Sequence, residues 1–217
     1  MNRADYHSSD SPQTALPTRP RRVSPAKQAL MCLLNPWSVC NKTDIIRDFI
    51  IDQDLDLLAL TETWLSGTDT DGPTVKSLLP DGYSINQVAR PQRGGGVALI
   101  HRDTVKLVST STCAYQSFEV LECMLHASRD VRLSVVYRPP GTGRGVTPQT
   151  FLDEFSDYLS CAVSAPGHPL IVGDFNIHID NDADRYAHAF SQALSTFGLH
   201  QYVTGPAHRT GHTLDLV

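Results

Sequence analysis

Pro169-Leu170-Ile171-Val172-Gly173-Asp174-Phe175-Asn176 is an apolar run that stops at a glycine and then offers a carboxylate and a carboxamide. Successive side chains on extended backbone point to opposite sides, so Asp174 and Asn176 share one side while Phe175 packs on the other. A buried strand that ends this way presents polar groups at a sheet edge. Two other stretches repeat the pattern. Leu55-Asp56-Leu57-Leu58-Ala59-Leu60 delivers Thr61-Glu62-Thr63, and Leu30-Met31-Cys32-Leu33-Leu34 delivers Asn35. Strands ending in Asn, in Glu, and in Asp plus Asn imply a converging oxygen-rich cluster, which suits a hard cation such as Mg2+ and a phosphate ester.

Around these strands the chain alternates in character. Asn41 or Thr43 can cap a helix whose Ile45, Ile46, Phe49 and Ile50 make one stripe. Ser66-Gly67-Thr68-Asp69-Thr70-Asp71-Gly72-Pro73 reads as a surface loop, and 141–147 as another. Tyr83 to Val88, Gly96 to His101, Val105 to Val108, Phe118 to His126 and Val131 to Tyr137 read as strands with hairpin-like breaks. Thr147-Pro148 opens a helix bearing Phe151, Phe155 and Leu159 at helical spacing. A last helix spans about 183–197, with Tyr186, Phe190 and Leu194 on one face and Gly198 as its stop. Helices interspersed with many strands predict mixed sheets covered by helices.

Composition sets limits on this reading. The 217 residues suffice for one α/β domain with a real core, and 41% hydrophobic with 19% charged residues is ordinary for a globular chain. A formal net charge of −5 excludes a general polycation, so any affinity for phosphates must come from a local basic face. Residues 1–27, rich in Ser, Pro, Asp and Arg without an apolar period, read as a disordered leader, and 28–217 as the domain. The leader's Thr18-Arg19-Pro20-Arg21-Arg22 reads as a solvated linker before a phosphate contact or nuclear address. Cys32, Cys40, Cys113, Cys123 and Cys161 are odd in number and form no CxxC, which points to a reducing compartment. No apolar run approaches the ~20 residues of a bilayer span. The N-terminus is too polar for a secretion signal, so the expected setting is intracellular, in nucleus or cytoplasm.

Taken in order, Asn35, Thr61-Glu62-Thr63, Val135-Val136-Tyr137-Arg138-Pro139-Pro140, Gly173-Asp174-Phe175-Asn176 and His212-Thr213-Leu214-Asp215 resemble the endonuclease/exonuclease/phosphatase superfamily. Thr61-Glu62-Thr63-Trp64-Leu65 and Arg93-Gly94-Gly95-Gly96-Val97-Ala98 bring the resemblance nearest to the apurinic-type endonuclease domain of non-LTR (LINE-type) retrotransposons. The resemblance implies a four-layer α/β sandwich, with two mixed sheets packed face to face and helices outside. It implies Mg2+-dependent nicking of DNA, with Mn2+ as an alternative ion, the phosphate backbone as partner, and no membrane. Glu62 would ligate the metal, Asn35 would support metal and phosphate, and Tyr137 would hydrogen-bond a phosphate oxygen. Asp174 would orient or activate water, and Asn176 would stabilise charge developing on phosphorus.

Each of these residues has a plainer reading. An Asp after a strand is often a turn former, Glu62 could be a solvated loop charge, and the ring of Tyr137 would serve as core. His208 and His212 lie four apart, but Gly205-Pro206 and Thr210-Gly211 favour a loop over a metal-binding helix face. Arg93-Gly94-Gly95-Gly96 could cradle a phosphate, although the start of a strand is the simpler account. The chain also departs from the pattern it resembles. Members continue to a Ser-Asp-His triplet whose His is oriented by the residue matching Asp215, and no Ser-Asp-His occurs here before Val217. No reverse-transcriptase segment follows either. The expectation is a domain truncated at its C-terminus, lacking its last strands and impaired in catalysis, with His178 as a substitute. Two alternatives stand beside it: a non-catalytic retrotransposon remnant that only binds nucleic acid or protein, and a phosphoesterase of the superfamily acting on lipid or inositol phosphate.

Overall fold

A computed structural model describes residues 28–90, 94–110, 114–141, 146–179, 181, 183–203 and 215–216. The expected leader 1–27 lies outside the described residues. Strands β1 (Met31–Leu34), β2 (Leu57–Thr61), β3 (Tyr83–Val88) and β4 (Val97–Arg102) form one sheet in the order β1-β2-β4-β3. Strands β5 (Leu107–Thr110), β6 (Glu119–Leu125), β7 (Val131–Tyr137), β8 (His168–Asp174) and β9 (Asp215–Leu216) form a second, in that sequence. Both sheets are mixed. β1 runs parallel to β2 and β7 parallel to β8, while the other pairs are antiparallel.

Three apolar seams hold four layers together. Leu57 and Ala59 of β2 and Leu99 of β4 pack with Leu133 and Val135 of β7 and Val172 of β8, which joins the sheets face to face. Leu58 and Leu60 point the other way, onto Ile46 and Ile50 of helix α1 (Thr43–Asp52) and Leu78 of α2 (Gly72–Leu78). β2 is therefore buried on both faces, which explains an unbroken apolar run where a half-exposed strand would alternate. The outer face of the second sheet meets α3 (Pro148–Ser164) and α4 (Arg185–Thr196) through Phe118, Phe151, Phe155, Phe175 and Phe190. Phe175 sits 5.2 Å from Phe190 and 5.4 Å from Phe155, ring centre to ring centre. It thus anchors the segment between Asp174 and Asn176 in the core.

The helix caps follow local chemistry. Thr147 accepts from Thr150 N at 3.1 Å, and Thr150 Oγ1 accepts from Thr147 N at 3.2 Å, with Pro148 at the start where no N–H is needed. Asp184 caps α4, and Gly198 ends it at φ +70° as expected. At α1 neither Asn41 nor Thr43 is the cap. Lys42 holds that position without a side-chain capping bond to the helix, and Ile45, expected on the buried stripe, is 71% exposed. The stretch 66–73 is also more ordered than a loop. Asp71 accepts from Gly67 N at 2.7 Å and Ser66 Oγ at 3.0 Å, closing a 3-10 turn (Asp69–Asp71) that leads into α2. Gly72-Pro73 acts there as a helix start, and Leu78 is fully buried. Among the described residues no helix is long and apolar enough to cross a membrane.

Candidate active site

β1, β2, β7 and β8 end where the two sheets face each other. Asn35 follows β1 and Glu62 follows β2, while Tyr137 and Asp174 are the last residues of β7 and β8. Their side chains meet. Asn35 Nδ2 donates to Asp174 Oδ2 at 2.7 Å and to Glu62 Oε1 at 3.3 Å, and Tyr137 Oη donates to the same Glu62 oxygen at 2.9 Å. Four strand ends from two sheets thus close one polar network around a carboxylate pair. In this orientation Asn35 spends both amide hydrogens on the carboxylates, and its Oδ1 accepts from Trp37 N at 3.0 Å.

Backbone geometry aims these groups. Glu62 has φ +49° and Trp64 φ +59°, left-handed conformations that cost a non-glycine residue about 1–3 kcal/mol. The neighbouring segments hold them there. Thr63 N donates to Gly96 O at 3.2 Å, Trp64 N to Gly95 O at 2.9 Å, and Ser38 N to Glu62 O at 2.9 Å. Gly95 and Gly96 lead into β4 and brace the Thr63–Trp64 backbone, while Arg93 lies outside the described residues.

Asn176 has φ +49°, which Asn tolerates better than most residues. Its N–H donates to Asp174 Oδ1 at 3.0 Å, a tight Asx turn, and its Nδ2 donates to Arg138 O at 2.8 Å. The second amide hydrogen of Asn176 remains to donate elsewhere. Gly173 lies so close to β7 that a Cβ there would sit 2.0 Å from Val136 O, so only glycine fits before Asp174. Arg138, part of the Tyr137-Arg138-Pro139-Pro140 stretch but given no task from sequence, turns out to be a buried clamp. Its guanidinium donates to Phe175 O at 3.0 Å and Asn176 O at 3.2 Å, and lies over the rings of Phe151 and Tyr186.

Electrostatics fix one protonation state. Burial, followed by the hydrogen bond and charge of Glu62 and the charges of Asp174 and Glu119, drives the Tyr137 phenol far above its ordinary range. Tyr137 is a neutral donor at any working pH. Glu119 was not singled out from sequence. It opens β6 opposite Tyr137, accepts from Gly96 N at 2.5 Å, and its carboxylate lies 3.4 Å from Arg90 Nε. Burial raises its pKa, opposed by the Gly96 N–H and Arg90, while Glu62 raises it further. A lone Glu at the start of a strand gives no sequence signal of a cross-sheet contact.

Among the described residues no group of three or more His, Cys, Asp or Glu is placed to hold a metal. The donor set is oxygen-based, with Glu62 as the half-buried carboxylate at its mouth. Such a set fits Mg2+, which keeps several waters and needs only one or two carboxylates, rather than a zinc-type cage. Asp215 pairs through its backbone with Asp174 in β9, and its side chain lies outside the described residues. So do His208 and His212. His178 is exposed, and its carbonyl accepts from Asn181 N at 3.1 Å.

The sequence pattern of the Endonuclease/Exonuclease/phosphatase family matches residues 29–217. Solved structures share the architecture at low identity. The AP endonuclease LMAP from Leishmania major is 17% identical, with a TM-score of 0.58 over 85% of this chain and 77% of that one. The endonuclease domain of TRAS1, a telomere-specific non-LTR retrotransposon, is 12% identical, with a TM-score of 0.61 over 86% and 82%. The 3′ phosphatase NExo from Neisseria, bound to a product DNA hairpin, is 13% identical, with a TM-score of 0.60 over 86% and 84%. No curated protein sequence matches this chain.

Proposed function

This chain belongs to the Endonuclease/Exonuclease/phosphatase family, and we propose that it is a Mg2+-dependent phosphodiesterase that nicks DNA, of the retrotransposon endonuclease type. The observation that carries this reading is the Asn35–Asp174–Glu62–Tyr137 network, which joins two carboxylates to neutral donors at one end of the sandwich. Glu62 would hold the divalent ion, for which Mn2+ can substitute. The ion would supply positive charge against the phosphodiester, withdrawing electron density so that an anion can be attacked.

This chain's own residues would do the rest. Asp174, buried and fixed by donors on both carboxylate oxygens, would orient the attacking water and accept its proton. Asn176, with one amide hydrogen anchored to Arg138 O, would turn the other to a phosphate oxygen. Tyr137, kept protonated, has a single hydrogen to divide between Glu62 and a phosphate oxygen. Asn35 would hold Glu62 and Asp174 in mutual register, which fixes the donors before charge develops and avoids reorganisation during the reaction. Asp215 pairs with Asp174 through the backbone of the β8–β9 ladder, which keeps the end of β8 in place.

Nicking of supercoiled plasmid tests the reading, with Mg2+ or EDTA, beside Asp174→Ala. Metal-dependent nicking that Asp174→Ala reduces by ~10²–10⁴-fold supports the proposal. A folded chain that binds DNA without cutting it would instead favour the non-catalytic remnant. Hydrolysis of an inositol phosphate with no action on plasmid would favour the lipid-type phosphoesterase.

A further inference from the structure

The loop after Asn35 is built at a cost that the network above does not explain. Trp37 is 61% exposed, and it and Ser38 take successive left-handed conformations, φ +48° and +79°. Each such residue costs about 1–2 kcal/mol relative to ordinary backbone. An aromatic ring left in water also forgoes the roughly 1.5–3 kcal/mol that burial would give. A flexible loop would relax, but this one is pinned. Trp37 N donates to Asn35 Oδ1 at 3.0 Å, Ser38 N to Glu62 O at 2.9 Å, and Val39 N to Thr63 O at 3.1 Å. Lys42 Nζ donates to Trp37 O at 3.1 Å and to Pro36 O, and Val39 is fully buried beneath. The fold thus pins the backbone that carries an exposed indole.

Position and chemistry indicate what it meets. Two residues of chain span at most about 7 Å, so the Trp37 backbone stays close to Asn35 and the network it belongs to. Consecutive nucleotides rise about 3.4 Å along a strand, which brings bases flanking an engaged phosphate within reach of a tryptophan side chain. The cationic group nearest in sequence, Lys42, is already committed to two backbone carbonyls of this loop. What the loop offers is therefore a π-face with little net charge, and a nucleobase is the part of DNA that a π-face recognises.

Resting on the DNA-nicking reading above, we propose that Trp37 is a base-stacking platform that receives an unstacked nucleobase beside the scissile phosphate. The ligand class is a base of a locally opened DNA strand. Because the loop is preorganised, little ordering entropy opposes stacking. The contribution is independent of ionic strength, unlike a phosphate contact.

The test uses the full chain and a fluorescein-labelled DNA duplex with a central mismatch, titrated in EDTA at several salt concentrations. The same variants are then assayed for the KM of plasmid nicking with Mg2+. Trp37→Ala should bind about 10-fold more weakly and raise KM by a similar factor, with an unchanged salt slope and melting temperature. Trp37→Phe should recover most of the affinity. In Trp64→Phe, where Trp37 is the one remaining tryptophan, DNA should quench the emission. Unaltered affinity and KM in Trp37→Ala, a changed salt slope, or unquenched emission would each overturn the assignment. A wild-type chain that binds and nicks DNA, with Trp37→Ala matching it, would overturn the stacking assignment alone. One that neither binds nor nicks would overturn the DNA reading as well.

Discussion

Gly173→Ala isolates the close approach that delivers Asp174. A Cβ at this position would lie 2.0 Å from Val136 O and 2.8 Å from its carbonyl carbon, whereas ordinary contact begins at 3.4 Å. The neighbouring atoms are backbone on the paired strand, so no side chain can swing away. β7 and β8 must part by roughly 1.4 Å at this rung, a large fraction of the ~4.8 Å strand spacing. Two ladder bonds at about 0.5–1.5 kcal/mol each would be lost, and overpacking adds about 1–3 kcal/mol. The sum, about 2–6 kcal/mol, is large against a typical 5–15 kcal/mol of stability. For a domain of this size it lowers the melting temperature by on the order of 5–20 °C. The same displacement stretches the 2.7 Å Asn35–Asp174 bond past hydrogen-bonding range, so nicking by the folded fraction should also fall. Thermal melts and plasmid nicking measured together check this, with Gly72→Ala as control because nothing lies within 4 Å of a Cβ there. A Gly173→Ala protein that melts and nicks like wild type would refute the steric argument. One that melts early yet nicks normally when folded would refute the link to Asp174.

Tyr137→Phe removes the donor to Glu62 while keeping the ring. It should slow nicking by on the order of 10–100-fold, the worth of a bond to a charged group, with little change in melting, and an unaltered rate would sink the role of the hydroxyl. Glu119 has a raised pKa in the folded chain, so the folded state holds that proton more tightly. Its contribution to stability is present below the ordinary glutamate range and is lost as pH rises through the raised folded value. Glu119→Gln should therefore gain on wild type in melting temperature from pH 4 to pH 7, and a constant difference across that range would contradict the burial argument. Phe175→Ala empties a ring site in the aromatic core and should cost about 3–5 kcal/mol in denaturant unfolding; a loss below 1 kcal/mol would show that the cluster closes around the gap. His178, exposed and two residues beyond Asn176, should prove dispensable, so His178→Ala should nick at the wild-type rate, and a large loss would reinstate it as a substitute proton carrier.

What the sequence made legible was the part written in local periodicity. The apolar runs at β2 and β8 marked buried strands because both faces are covered, and Asn35, Glu62, Asp174 and Asn176 were singled out because they follow or end apolar runs, whereas Tyr137 was named only through the family resemblance. Gly72-Pro73 misled, since the same dipeptide closes a turn or starts a helix, and the half-buried Val75 and buried Leu78 that decide between them come too sparsely for a periodic signal. Ile45 was placed on the stripe of α1 by spacing alone, and the 71% exposure shows that the stripe is narrower than the apolar residues present. Arg138 and Glu119 were illegible for a different reason. Their work is done against backbone groups of segments distant in sequence, and a carbonyl or N–H carries no residue identity to read. The strain at Glu62 and Trp37 was equally hidden, because left-handed backbone at non-glycine residues is imposed by tertiary bonds rather than by composition.

The bond between Asn35 and Asp174 joins residues 139 positions apart in the chain, and that separation bears on biogenesis. A growing polypeptide that has completed β1 to β4 carries Asn35 and Glu62 but neither Tyr137 nor Asp174, and no shorter-range pairing can stand in for them. Contacts of such long sequence separation form late, after the entropy of closing the intervening loop has been overcome. On the nicking reading, a nascent or partly unfolded chain of this design would be inert, and competence would arrive with the docking of one sheet on the other.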